Sequence, residues 1–158
     1  MTTTIQRIVV FFGEMGSGKS WCAERWARGH GFCFFEGDSV VTRELLDRSG
    51  RFKPIPRGVI REFVDVLSKA VVEHALGCES DTLVVSQALY LNEDRLAFGR
   101  YLEEHGFMVE WKWVRAPFTR HVRNLLTRPK RWRWVGYMLM NKPFFQAPTH
   151  PHVVYPNG

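Results

Sequence analysis

No stretch of the 158-residue chain stays apolar over the roughly 20 residues that a membrane-spanning helix needs, so no membrane partner is expected. The opening residues, MTTTIQR, lack the apolar core of a signal peptide, and a reducing cytoplasm is the expected setting. Cysteine is scarce. Cys22, Cys33 and Cys78 form an odd set without CxxC spacing, and neither a disulfide framework nor a zinc site is expected from them. His74, His105 and His121 have no metal-ligand spacing and read as structural or solvent-facing. Repeats, low-complexity tracts and linkers are absent, which fits one domain over 1–158. An Asn-Lys-x-Asp base-recognition motif is missing, which argues against a GTPase, and the apolar run TLVVS ends in Ser86-Gln87 rather than a carboxylate.

What remains is an ordinary globular balance of 45% hydrophobic and 24% charged residues. The net charge of +6 suits an anionic partner such as ATP, a nucleotide, a sugar acid or nucleic acid. RIVVFF (7–12), FCFF (32–35), TLVVS (82–86), FMVEWKWV (107–114) and HVVY (152–155) read as short strands. Helical stretches fall at 18–29, 59–76, 92–105 and 118–127, with Asn92 placed to cap the third. Strands alternating with helices predict a three-layer α/β domain around a mostly parallel five-stranded sheet.

Gly13-x-x-x-x-Gly18-Lys19-Ser20 is a complete Walker A pattern between a predicted strand and a predicted helix. Glycines let successive N–H groups point at phosphate oxygens, and the helix N-terminus adds partial positive charge. Gly13, Gly16, Ser17, Gly18, Lys19 and Ser20 are therefore expected to bind ATP, with Lys19 on the β- and γ-phosphates and Ser20 on Mg²⁺.

Asp38 follows the second strand, nineteen residues after Lys19, and is expected at the carboxyl edge of the sheet where α/β folds bind ligands. A carboxylate there can take the proton of an attacking hydroxyl; the same Glu-Gly-Asp-Ser sequence also makes a good turn. Glu36 is a second candidate, for Mg²⁺ or substrate.

The phosphate loop together with Glu36-Gly37-Asp38 resembles the small P-loop kinases: gluconate, shikimate, adenylylsulfate and nucleoside monophosphate kinases, and the kinase domain of phage polynucleotide 5′-hydroxyl kinase. The resemblance implies that Asp38 contacts or deprotonates the acceptor hydroxyl. Residues 83–113 are most similar to the polynucleotide kinase pattern, in which Leu-Asn and a nearby arginine open a helix ending in Gly-aromatic-x-Val-Glu. VVYPNG at 153–158 resembles the same group.

Residues 116–147 read as a lid. The segment 115–145 carries Arg115, Arg120, Arg123, Arg128, Lys130, Arg131 and Arg133; Arg120 and Arg123 are spaced to face one ligand, and the resemblance singles out Arg123 and Arg128 as the catalytic lid arginines. In KRWRW, one of Trp132 and Trp134 is expected in the core, and the other is free to stack a base. Trp111 and Trp113 share a strand face with Val109 and read as core.

Residues 39–78 are expected to cover the acceptor, with Arg43, Arg51, Arg57 and Arg61 making that side cationic and Gln87 reaching a base or sugar. Arg57 follows the rigid turn PIP and serves either the substrate or the helix terminus. The expected activity is phosphoryl transfer from ATP to a hydroxyl of a nucleic acid or nucleotide, either a 5′-hydroxyl or a hydroxymethyl base such as 5-hydroxymethyluracil. The alternatives are a metabolite kinase of the gluconate or shikimate type and a non-catalytic, NTP-dependent nucleic-acid binder.

Overall fold

The computed structural model describes residues 7–51, 53–129 and 131–157. Its centre is β1 (Arg7–Phe12), flanked in a five-stranded sheet of order β2-β3-β1-β4-β5 by β2 (Cys33–Glu36), β3 (Thr82–Ser86), β4 (Met108–Arg115) and β5 (Val153–Pro156). Every pairing is parallel. The apolar runs of β1 and β3 are unbroken because helices cover both faces of the sheet.

On one face, α1 (Lys19–His30) sets Cys22, Ala23 and Ala27 against Val9, Phe11 and Val84. On the other, α3 (Arg57–Leu76) and α4 (Asn92–Glu104) bring Phe63, Leu67, Val71, Phe98 and Leu102 against Ile8, Val10, Leu83 and Val85. The expected three-layer α/β architecture is the one observed.

Two of the helices, the second and the sixth, lie where the sequence shows no clear apolar period. α2 (Arg43–Gly50) starts on a Thr42 hydroxyl that accepts from the Leu45 amide at 3.3 Å. α5 (Phe118–Leu126) packs on α6 (Arg131–Asn141) around a small core of Leu125, Val135 and Met138, against which Met15 of the phosphate loop also rests. Trp134 joins that core and Trp132 is 72% exposed, as expected of the pair. Trp111 packs into the main core beside Val109, and Trp113 stacks on Phe145. Lys130 lies outside the described residues.

His121 is buried between α5 and the phosphate loop, facing Glu14, the structural of the two places expected for it. Two expectations change. Asn92 is the first residue of α4 rather than its cap, and its side chain instead ties α4 to the segment before β5, donating to the Ala147 carbonyl and accepting from the Thr149 amide. Cys33 and Cys78 are paired as a disulfide, with Cα atoms 6.5 Å apart. The pair joins the start of edge strand β2 to the turn after α3, a juxtaposition across a separation of 45 residues that the spacing of the cysteines does not reveal.

Candidate active site

The phosphate loop forms because β1 ends at Phe12 and the chain must reverse into α1 within six residues. Gly16 and Gly18 sit at φ of +80° and +81°, which side chains of L-residues rarely adopt. Gly18 caps α1 without a side-chain hydrogen bond, so the first amides of the helix are left for an anion.

The loop is braced from three sides. The Asn124 amide donates to the Gly16 carbonyl at 2.7 Å, the Asn157 amide to the Ser17 carbonyl at 2.9 Å, and the Met15 amide donates to the Tyr90 hydroxyl at 3.0 Å. Glu14, also in the loop, accepts from Lys142 at 2.8 Å and lies 3.5 Å from His121.

Parallel register then assembles the reactive edge. Glu36 at the end of β2 is opposite Ser86 at the end of β3, and Ser86 is opposite Phe11 of β1. The Ser20 and Ser86 hydroxyls are 2.9 Å apart, and the Ser20 hydroxyl is near enough to the Glu36 carboxylate to favour its charged form.

Gly37 passes so close to β3 that a Cβ there would lie 2.6 Å from the Ser86 carbonyl oxygen. That tight passage turns the chain so that Asp38 is exposed in a short 3-10 turn. Burial raises the Glu36 carboxyl above its ordinary value, and Asp38 adds to this. Lys19, nearly buried, is lowered first by desolvation; Asp38 and Glu36 oppose the shift and Arg128 adds to it.

A Mg²⁺ ion takes oxygen ligands and tolerates a small protein set completed by phosphates and water. Ser20, Glu36 and Ser86 offer converging hydroxyl and carboxylate oxygens beside the phosphate loop, and they fit such an ion.

An open cavity of about 570 Å³ runs from the loop to the lid, lined among others by Lys19, Ser20, Arg120, Asn124, Arg128 and Asn157. From this segment Arg120, Asn124, Thr127 and Arg128 reach it, one face of α5 and the turn that follows. Arg123 is on the exposed face of α5 and outside that lining. The Arg120/Arg123 spacing does not mark this lining; steps of three to four along one helical face from Arg120, through Asn124 to Thr127 and Arg128, do.

Gln87, just after β3, is buried against Gly37, where its Oε1 accepts from the Ala88 amide at 2.6 Å and its Nε2 finds no hydrogen-bond partner. Arg57 is bound bidentately by the buried Asp94, at 3.0 and 2.8 Å, and also reaches Glu93. It clamps the start of α3 to the start of α4. Arg48 and Arg51 pair with Glu44 and Asp47, and Arg61 is 3.8 Å from Glu93. The acceptor side is therefore far less cationic than its arginine count suggests.

Behind the site, the fully buried Arg95 donates to the carbonyls of Leu89 and Gln146, each at 2.6 Å. These contacts hold Leu89 at φ +42°, an uncommon backbone state, and thereby aim Tyr90 at the loop. Burial lowers the Arg95 guanidinium to about 10 and raises the Tyr90 phenol to about 12.

No family model matches the chain, and no curated protein matches it in sequence. Solved structures do match in shape. A gluconokinase from Sinorhizobium meliloti 1021 superposes with a TM-score of 0.73 at 16% identity, covering 99% of this chain and 84% of that one. A sugar kinase from Janibacter sp. HTCC2649 gives 0.73 at 16%, covering 96% and 84%. The APS kinase of Mycobacterium tuberculosis, solved with AMPPNP and APS, gives 0.68 at 20%, covering 96% and 88%. The chain shares the α/β fold of the small P-loop kinases.

Proposed function

We propose that the protein is an ATP- and Mg²⁺-dependent kinase that moves the γ-phosphoryl group onto an acceptor hydroxyl. The observation that carries this reading is the convergence of Lys19, Ser20, Glu36 and Asp38 at one sheet edge, with Arg120 and Arg128 facing the loop from the lid. Loop amides and Lys19 hold the triphosphate. Asp38 accepts the proton of the acceptor hydroxyl as its oxygen bonds to the γ-phosphorus and the bond to the ADP oxygen breaks. Arg120 and Arg128 stabilise the charge on the transferred group. Ser20, Glu36 and Ser86 would hold Mg²⁺, which would neutralise phosphate charge when bound.

Two acceptors are supported by different observations. The paired arginines of 43–61 leave a nearly neutral acceptor side, which favours a small hydroxylated metabolite; the gluconokinase and sugar kinase neighbours support the same reading. The exposed Trp132, set in a cation-rich lid, favours a hydroxyl carried by nucleic acid or a nucleotide.

Asp38→Asn tests the chemistry. It should lower kcat by roughly 10²- to 10⁴-fold while ATP affinity stays unchanged; unchanged turnover would remove Asp38 from the mechanism. The acceptor is named by γ-labelled ATP offered with sugar acids, nucleotides, a free 5′-hydroxyl strand and a 5′-blocked strand carrying hydroxymethyluracil. ATP binding with no label on any of these would overturn the kinase reading in favour of a binding module. Polymer binding should also weaken steeply with salt, and a single-phosphate contact should not.

A further inference from the structure

We infer that Trp21 is the platform on which the nucleobase of the phosphoryl donor stacks. The inference rests on the nucleotide reading of the cavity and adds to it the residue that binds the base.

Trp21 directly follows Ser20, in the first turn of α1, so its backbone is fixed by the same helix start that faces the phosphates. Its side chain turns away from the core. It is 59% exposed, although α1 buries its neighbours Cys22 and Ala23 against the sheet. An indole left this open beside a polar cavity gains nothing from the hydrophobic core. It does form one wall of the cavity.

The other walls are of a different kind. Among the described residues that line the cavity, Trp21 alone offers an aromatic face; the rest are loop backbone, hydroxyls, the ammonium of Lys19, the guanidinium groups of Arg120 and Arg128, and the amides of Asn124 and Asn157. Phosphates and ribose hydroxyls suit those polar walls. A base must also bury two flat faces, and the indole is the surface that matches them.

Arg25, one turn further along α1, holds its guanidinium 5.0 Å from the indole centroid. This cation–π contact restrains the ring and covers one of its faces. The opposite face is left for a base. Every base has a π face, and purines overlap an indole most fully. The platform therefore favours a purine nucleoside triphosphate while tolerating both adenine and guanine, in keeping with a chain that lacks an Asn-Lys-x-Asp motif.

The test compares ATP with inorganic tripolyphosphate, which carries the same phosphate chain and no base. Calorimetry with Mg²⁺ is run on the wild-type protein, Trp21→Ala and Trp21→Phe. Trp21→Ala should lose about tenfold or more in ATP affinity and nothing for tripolyphosphate, with Trp21→Phe recovering most of the loss. An equal loss for both ligands, no loss for ATP, or no recovery by phenylalanine would overturn the platform while leaving the nucleotide site intact. A wild-type protein that binds tripolyphosphate but gains nothing from the base also overturns it. Failure of the wild type to bind either ligand would bring down the nucleotide reading itself. At 59% exposure, Trp21 is replaced without opening the core, so the variants are expected to fold.

Discussion

Residues 1–110 hold 13 Lys and Arg against 16 Asp and Glu, whereas residues 111–158 hold nine Lys and Arg and no acidic residue. In the first part the cations are spent on neighbours. Arg28 pairs with Glu24, Arg48 with Glu44, Lys69 with Asp65, and Arg57 with the buried Asp94. In the second part no carboxylate exists to pair with. Arg115 and Arg128 lie over the rings of Trp113 and Trp134, and Lys142 crosses to Glu14 of the phosphate loop. One part is an electrostatically closed body. The other adds most of β4, β5 and the helices α5 and α6, and its charge is balanced from outside it, by the loop or by a bound polyanion. Arginine count alone is a poor guide to an anion site; what matters is whether a carboxylate reaches the guanidinium first.

The strongest challenge to this contrast is to remove a lid cation that lines the cavity. Arg128→Ala should cut kcat by about 10³-fold, the scale of an arginine finger, with the melting temperature unchanged. Arg123→Ala, on the exposed face of α5, should cost far less; equal losses would show that the cavity lining misassigns the lid. A second experiment addresses the body. Reducing the Cys33–Cys78 bond, or replacing Cys33 by Ser, should cost about 3 kcal/mol and lower the melting temperature by close to 10 °C. An unchanged melting temperature on reduction would mean the bond adds no stability.

The smallest effect belongs to the seam between body and lid. Burial holds His121 below its ordinary 6.5 despite the nearby Glu14 carboxylate, with Lys142 adding to the shift. Its neutral form favours folding, so this contribution is complete above 6.5 and is lost as pH falls through the lower folded value. The melting temperature should drop as pH goes from about 7 to 5.5, and His121→Gln should flatten that dependence. His150, half-buried and likewise lowered by desolvation, keeps a residual slope in the variant. An unaltered slope would place the acid sensitivity elsewhere.

Local signals made much of this molecule legible. The strands show as β-rich apolar runs, and the phosphate loop is a contiguous pattern whose glycines are demanded by backbone geometry. Asp38 is legible because a strand end followed by a tight turn can face only the carboxyl edge. α2 and α6 were not legible, since α2 is short and charged and α6 is apolar on more than one side. The partners of Arg57 were hidden because Asp94 lies 37 positions away in sequence.

By itself, then, the sequence determined the layer order, the phosphate-binding loop and the acid-free character of residues 111–158. Each follows from neighbours along the chain or from composition. Only the tertiary structure decided that Glu36 meets Ser20 and Ser86, that Arg128 rather than Arg123 lines the cavity, and that Trp21 looks into it. Those facts depend on strand register and helix rotation, and both are set by packing between segments far apart in the chain.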